Sequence, residues 1–82
     1  MAIFVPHASL ARMLGAGELR STAATVGELL DEVSARVEPE EWARAARATV
    51  LVGGRNVNSL AGRATRLKDD DEVWMVFPAA GG

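Results

Sequence analysis

A chain of 82 residues has room for one domain and one small core, and its net charge of −2 offers no basic stripe for a nucleic acid. The absence of cysteine excludes a disulfide frame, a thiolate metal site and a cysteine nucleophile. No apolar run approaches the length of about 20 residues that crosses a bilayer, so no membrane partner is expected.

Residues Met1 to His7 have neither the basic segment nor the long apolar run of a secretion signal, and the expected location is cytoplasmic. Ala2 to Val5 is a short apolar run stopped by Pro6 and reads as a first strand. His7 follows it. With no cysteine and no second histidine to complete a metal site, it reads as a surface or packing residue. Ser9 to Leu14 is an apolar-rich turn or short helical loop, closed by Gly15 and Gly17. Glu18 to Thr22 alternates as a second strand, close enough to the first to predict a hairpin.

The strongest helix signal begins at Thr25. Thr25 and Glu28 have the spacing of a capping box, in which the two side chains satisfy backbone donors at a helix start. Val26, Leu29, Leu30, Val33 and Val37 then recur at steps of three and four, which is one apolar stripe. Asp31, Glu32 and Arg36 fall on the other face, a solvated surface. Pro39 should end this helix, and Glu40 to Ala48, anchored by Trp42, should form a shorter second one.

Thr49 to Val52 is a third strand, and Gly53-Gly54 supplies the positive φ angles of a tight hairpin. A glycine-rich loop can also cradle phosphate, but that use requires a helix N-terminus next in the chain. Arg55, Asn56 and Val57 read as extended instead. Leu60, Gly62 and Leu67 punctuate a loosely extended segment carrying Arg63 and Arg66. Asp69, Asp70, Asp71 and Glu72 crowd four carboxylates into one turn. A calcium loop spreads its ligands over about 12 residues, so this is a solvated turn and no metal is expected.

Val73 to Phe77 is the last strand, ended by Pro78, which has no N–H for a ladder. Ala79, Ala80, Gly81 and Gly82 follow, a tail with almost no side chains that could pass through a narrow channel and present the Gly82 carboxylate. Two glycines at a fixed place arise by chance about once in 200 chains. The expected division is a domain over residues 1–78 and a flexible tail over 79–82. Strand, strand, helix, short helix, strand, short strand, strand is a two-layer α+β order, with first and last strands able to pair in parallel. If Val73, Met75 and Phe77 face the helix with Val50 and Val52, then Trp74, Val76 and Leu51 face away. That open apolar face beside the tail is the expected docking surface for partners.

These features resemble the MoaD/ThiS-type sulfur carriers, above all the small subunit of molybdopterin synthase. Ala8-Ser9-Leu10 with Gly15 is similar to the family's loop after strand one. Val52-Gly53-Gly54-Arg55 resembles its Val-Asn-Gly hairpin, and Leu67 to Val73 its Leu-x-Asp-Gly-Asp-Glu-Val turn, with Asp70 where glycine is usual. Phe77-Pro78-Ala79-Ala80-Gly81-Gly82 resembles the terminal Pro-x-x-Gly-Gly, whereas Pro6-His7 replaces the family's aromatic pair. The resemblance covers essentially the whole chain.

It implies a ubiquitin-like β-grasp fold, a mixed sheet of four to five strands packed on one main helix. It also implies that an adenylating enzyme, akin to ubiquitin-activating enzymes, uses ATP to activate Gly82. Sulfur would then convert the carboxylate to a thiocarboxylate for a large synthase subunit or another acceptor enzyme. Gly81 and Gly82 are the implied reaction site, and Phe77, Pro78, Ala79 and Ala80 the stretch that enters a partner. The chain itself would bind no cofactor and catalyse nothing. Sulfur delivery to thiamine, a sulfur amino acid or a secondary metabolite would use the same tail, and so would a ubiquitin-like modifier. Lys68 is the single lysine, which disfavours chain building on itself.

Overall fold

The computed structural model describes residues 1–77; Pro78, Ala79, Ala80, Gly81 and Gly82, with the expectations placed on them, lie outside the described residues. Five strands form one sheet: β1 (Ala2–Val5), β2 (Leu19–Ser21), β3 (Thr49–Val52), β4 (Arg55–Asn56) and β5 (Glu72–Val76). Three α-helices intervene, α1 (Ala8–Leu14), α2 (Val26–Ser34) and α3 (Pro39–Ala45). The sheet order is β2-β1-β5-β3-β4, so the last strand of the sequence is the middle strand of the sheet. It runs parallel to β1 and antiparallel to β3. The parallel pairing expected of the first and last strands is present.

Thr25 caps α2, its hydroxyl accepting from the Glu28 N–H at 3.2 Å. Glu28 reaches back to the Ala24 N–H at 3.4 Å, one residue beyond the expected reciprocal partner. Val26, Leu29 and Val33 of the predicted stripe are almost wholly buried, while Leu30 and Val37 are only partly so. They meet Phe4, Leu10, Val52, Val73 and Met75 in one core; Val50 packs at its margin. Arg63 clamps the next layer onto this helix, donating to the Gly27 carbonyl at 3.2 Å and to Asp31 at 2.9 Å. Gly27 permits that approach, since a Cβ there would stand 3.1 Å from both the Cβ and the carbonyl oxygen of Arg63.

The Gly53-Gly54 turn forms as its composition predicts. Both residues have positive φ, 58° and 82°, and Val52 pairs directly with Arg55 across the turn. Both angles positive is the hairpin geometry that matches strand twist. In the acidic turn Asp70 takes a φ of 68°, the left-handed conformation that aspartate tolerates better than most residues. Asp71 accepts from the Lys68 N–H at 2.7 Å, so part of the carboxylate cluster serves the turn itself. Among the described residues, no group of three or more histidine, cysteine or acidic side chains is placed to hold a metal ion.

β1 and β2 are antiparallel neighbours joined through α1, the helical one of the two forms expected for Ser9 to Leu14. Three expectations need correction. α2 stops at Ser34, and Pro39 starts α3 instead of ending α2; its missing N–H costs nothing in a first turn. α3 itself closes at Ala45, short of Ala48. The segment after β4 is not extended: Val57–Ser59 and Gly62–Ala64 are short 3-10 turns. Only around Thr65–Leu67 does the chain straighten, with Leu67 donating to the Ala24 carbonyl at 2.8 Å.

Candidate functional site

Alternation along β5 divides the sheet into two surfaces. Val73 and Met75 lie in the core, 0% and 1% exposed, and Trp74 between them is 42% exposed on the opposite face. Direct pairing puts Leu51 beside Trp74 on one flank and Val5 on the other. Val76 is paired with Thr49, and both are partly buried. Trp74, Val76 and Leu51 therefore share the open face as expected. Sequence reasoning missed Ile3 and Val5, which join them; the alternation Ala2-Ile3-Phe4-Val5, with Phe4 in the core, carries the signal. The Trp74 indole is held in place by Glu72, whose carboxylate accepts from Nε1 at 2.9 Å. The open face is thus apolar at its centre, with one oriented aromatic ring.

Phe77 departs from expectation. It was expected among the helix-facing core residues, yet it is 49% exposed. The strand has ended by then, at Val76. Its ring instead meets His7, with centroids 4.5 Å apart and planes inclined at 44°. His7, Met13, Glu41, Arg44, Ala45 and Phe77 line a cleft of about 340 Å³ on the helical side. The point where the chain leaves the sheet is therefore flanked by two surfaces, the open sheet face and this cleft.

His7 is more than a packing residue. Its Nδ1 accepts from the Leu10 N–H at 3.2 Å, which makes it the N-cap of α1. Its Nε2 is buried and, among the described residues, makes no hydrogen bond of regular geometry, although the Ala45 backbone lies close enough to act on the ring's charge. Burial pushes the imidazole pKa below the ordinary 6.5, against a smaller upward pull from the Ala45 backbone. Arg44 and Glu41 beside it are paired with each other at 2.6 Å.

A mixed five-stranded sheet wrapped over one main helix, with its C-terminal strand at the centre, is a ubiquitin-like β-grasp domain. A chain of the Amycolatopsis orientalis BexX/CysO complex is similar over 100% of both chains, with a TM-score of 0.80 and 24% identity. Small archaeal modifier protein 1 from Methanosarcina acetivorans is similar over 99% of this chain and 95% of its own, with a TM-score of 0.80 and 22% identity. A putative molybdopterin converting factor, subunit 1, from Pyrococcus furiosus gives 0.66 and 20% over 95% and 97%. These likenesses carry the fold. No curated protein matches in sequence. The ThiS family model matches residues 8–82, and the chain belongs to that family of ubiquitin-like sulfur carriers. Among the described residues no helix is long and apolar enough to cross a membrane.

Proposed function

We propose that this protein is a cytoplasmic sulfur carrier whose reactive group is the α-carboxylate of Gly82. A carboxylate is a poor electrophile until one oxygen becomes a good leaving group; the chain has no cysteine, and among the described residues no side-chain cluster is placed to hold a metal that could assist. Activation therefore falls to a ubiquitin-activating-like enzyme. A carboxylate oxygen attacks the α-phosphorus of ATP, pyrophosphate leaves, and the acyl-adenylate forms. Hydrosulfide then displaces AMP and gives up its proton to solvent, so that a C–S bond replaces the acyl C–O bond. The product is a thiocarboxylate, and the protein is carrier and substrate, with no cofactor of its own. The observation that carries this reading is family membership over residues 8–82, a match that runs through Gly81-Gly82. The resemblance of Val52-Gly53-Gly54-Arg55 and Leu67 to Val73 to the small subunit of molybdopterin synthase supports that enzyme's large subunit as the acceptor, while the tail itself would serve other acceptors equally. Intact-mass spectrometry of the protein from its native cell tests the chemistry. A species heavier by the difference between sulfur and oxygen is expected, and its absence under sulfur-replete growth would refute carriage.

The open face of the sheet is proposed to seat both partners, with Phe77, Pro78, Ala79 and Ala80 following into the active site. Half-exposed Trp74 is its anchor. Trp74→Ala should weaken binding to the activating enzyme and to the synthase subunit, each by about 2 kcal/mol or more, with the isolated domain still folded. Titration calorimetry against each partner measures it. Unchanged affinity for both would exclude this face.

A further inference from the structure

Trp74 guards one side of the point where the chain leaves the sheet; His7 lies on the other, and it is the only histidine in the sequence. It holds two parts of the fold at once. Nδ1 fixes the start of α1 through the Leu10 N–H, and the ring face holds Phe77, 70 residues away, by direct contact. Pro6 before it is buried, so the backbone at this corner has little freedom to follow a moving ring. We propose that His7 is a positioning residue for the root of the C-terminal tail and that it acts only when neutral. The proposal rests on the reading of Gly82 as the reactive end.

The reason lies in what each nitrogen must do. Nδ1 accepts a hydrogen bond, so in the neutral ring the proton sits on Nε2. A second proton can only go to Nδ1. It would then point donor against donor at the Leu10 N–H, and the cap would be lost. The charged groups nearest the ring offer no compensation. From α3, Glu41 and Arg44 neutralise one another; from α1, Ser9 and Met13 carry no charge, and the guanidinium of Arg12 is exposed. Phe77 attracts a cation through its ring face, but it is half exposed and that attraction is screened. Burial adds to the penalty and sets the direction of the shift. Because the folded chain binds this proton less tightly than the unfolded chain, the stabilisation is complete above the unfolded value near 6.5. It is lost as the pH falls through the folded value. Mild acid would therefore free the first turn of α1 and, with the cap gone, the imidazole that holds Phe77 at the root of the tail.

The experiment uses the full chain and its charge variant. NMR titration between pH 8 and pH 5, above the range where ordinary carboxylates titrate, should give a His7 midpoint below 6.5. The Phe77 ring protons and the Leu10 amide should move with that same midpoint. In His7→Asn, which can cap but not titrate, both should stay flat. Pyrophosphate exchange with the activating enzyme gives the functional arm. The KM ratio of native carrier to His7→Asn should rise as the pH falls through the midpoint, with the kcat ratio constant. Phe77 and Leu10 signals that ignore the His7 titration would overturn the coupling, and a flat KM ratio would overturn the positioning role. Exchange that survives loss of Gly82 would instead refute the reactive-end reading, and the NMR result would stand apart from it.

Discussion

Deleting Gly82 should abolish pyrophosphate exchange with the activating enzyme and leave the unfolding transition of the domain where it was. Every residue of the core described above lies between Phe4 and Met75. The carboxylate of Gly82 is the proposed reacting group. Moving that group back by one residue withdraws it by about 3.3 Å, and a misplacement of about 1 Å can already cost a hundredfold in rate. Gly81→Val should have a similar effect by bulk alone, since a branched Cβ widens the stretch proposed to enter a partner's active site. From Ala79 to Gly82 an extended chain spans about 13–14 Å, enough to reach from the domain surface into a partner's active site. Exchange that persisted in the deletion would place the reactive group elsewhere.

Leu29→Ala should cost about 2–5 kcal/mol, a large part of the roughly 5–15 kcal/mol that holds a typical domain. Leu29 is 1% exposed and sits where the helix meets Phe4, Val73 and Met75. Leu30, next to it, is only partly buried and packs at the edge of the same cluster. Leu30→Ala should therefore cost distinctly less. Thermal unfolding of the two variants measures the difference, because each kcal/mol moves the midpoint of a domain this size by roughly 4–8 °C. Equal losses, or a larger loss at Leu30, would mean that α2 is rotated relative to the sheet.

That pair of leucines also marks how far the sequence could be read. A spacing of three and four identifies the apolar stripe of α2 but not its centre line, since 3.6 residues per turn let neighbouring leucines share it. The sheet decides which one points inward. β3 and its glycine turn were legible to the residue because turn chemistry is local: two consecutive positive φ angles are met by few residues other than Gly, Asn and Asp. The open face was legible for the same kind of reason, since alternation along β5 fixes Trp74 once Val73 is inside.

What could not be read depends on contacts remote in sequence. α1 is seven residues long, too short for a period to emerge, and it is held by Leu10 in the core and by a left-handed Gly15 at its end. Histidine is not among the preferred N-caps, so nothing in the residue type marked His7 for that role. Its contact with Phe77 joins opposite ends of the chain. Phe77 itself carries the composition of a strand residue, but the strand's last pairing is at Val76, and beyond it the ring turns to His7. The short turns after β4 were hidden because Arg63 and Gly27 fit together only in three dimensions.

The central place of β5 has a mechanical consequence. It is hydrogen-bonded on both flanks, in parallel to β1 and in antiparallel to β3. A pull on the C-terminus is directed along the strand, so both ladders are loaded in shear and their bonds share the force instead of unzipping in turn. Sliding the strand would also drag Val73 and Met75 out of the core. The first element a tug on the tail meets is thus the one best braced against it. On the proposed reading, in which the end is drawn into one active site and then another, the domain can be handled repeatedly without being unravelled.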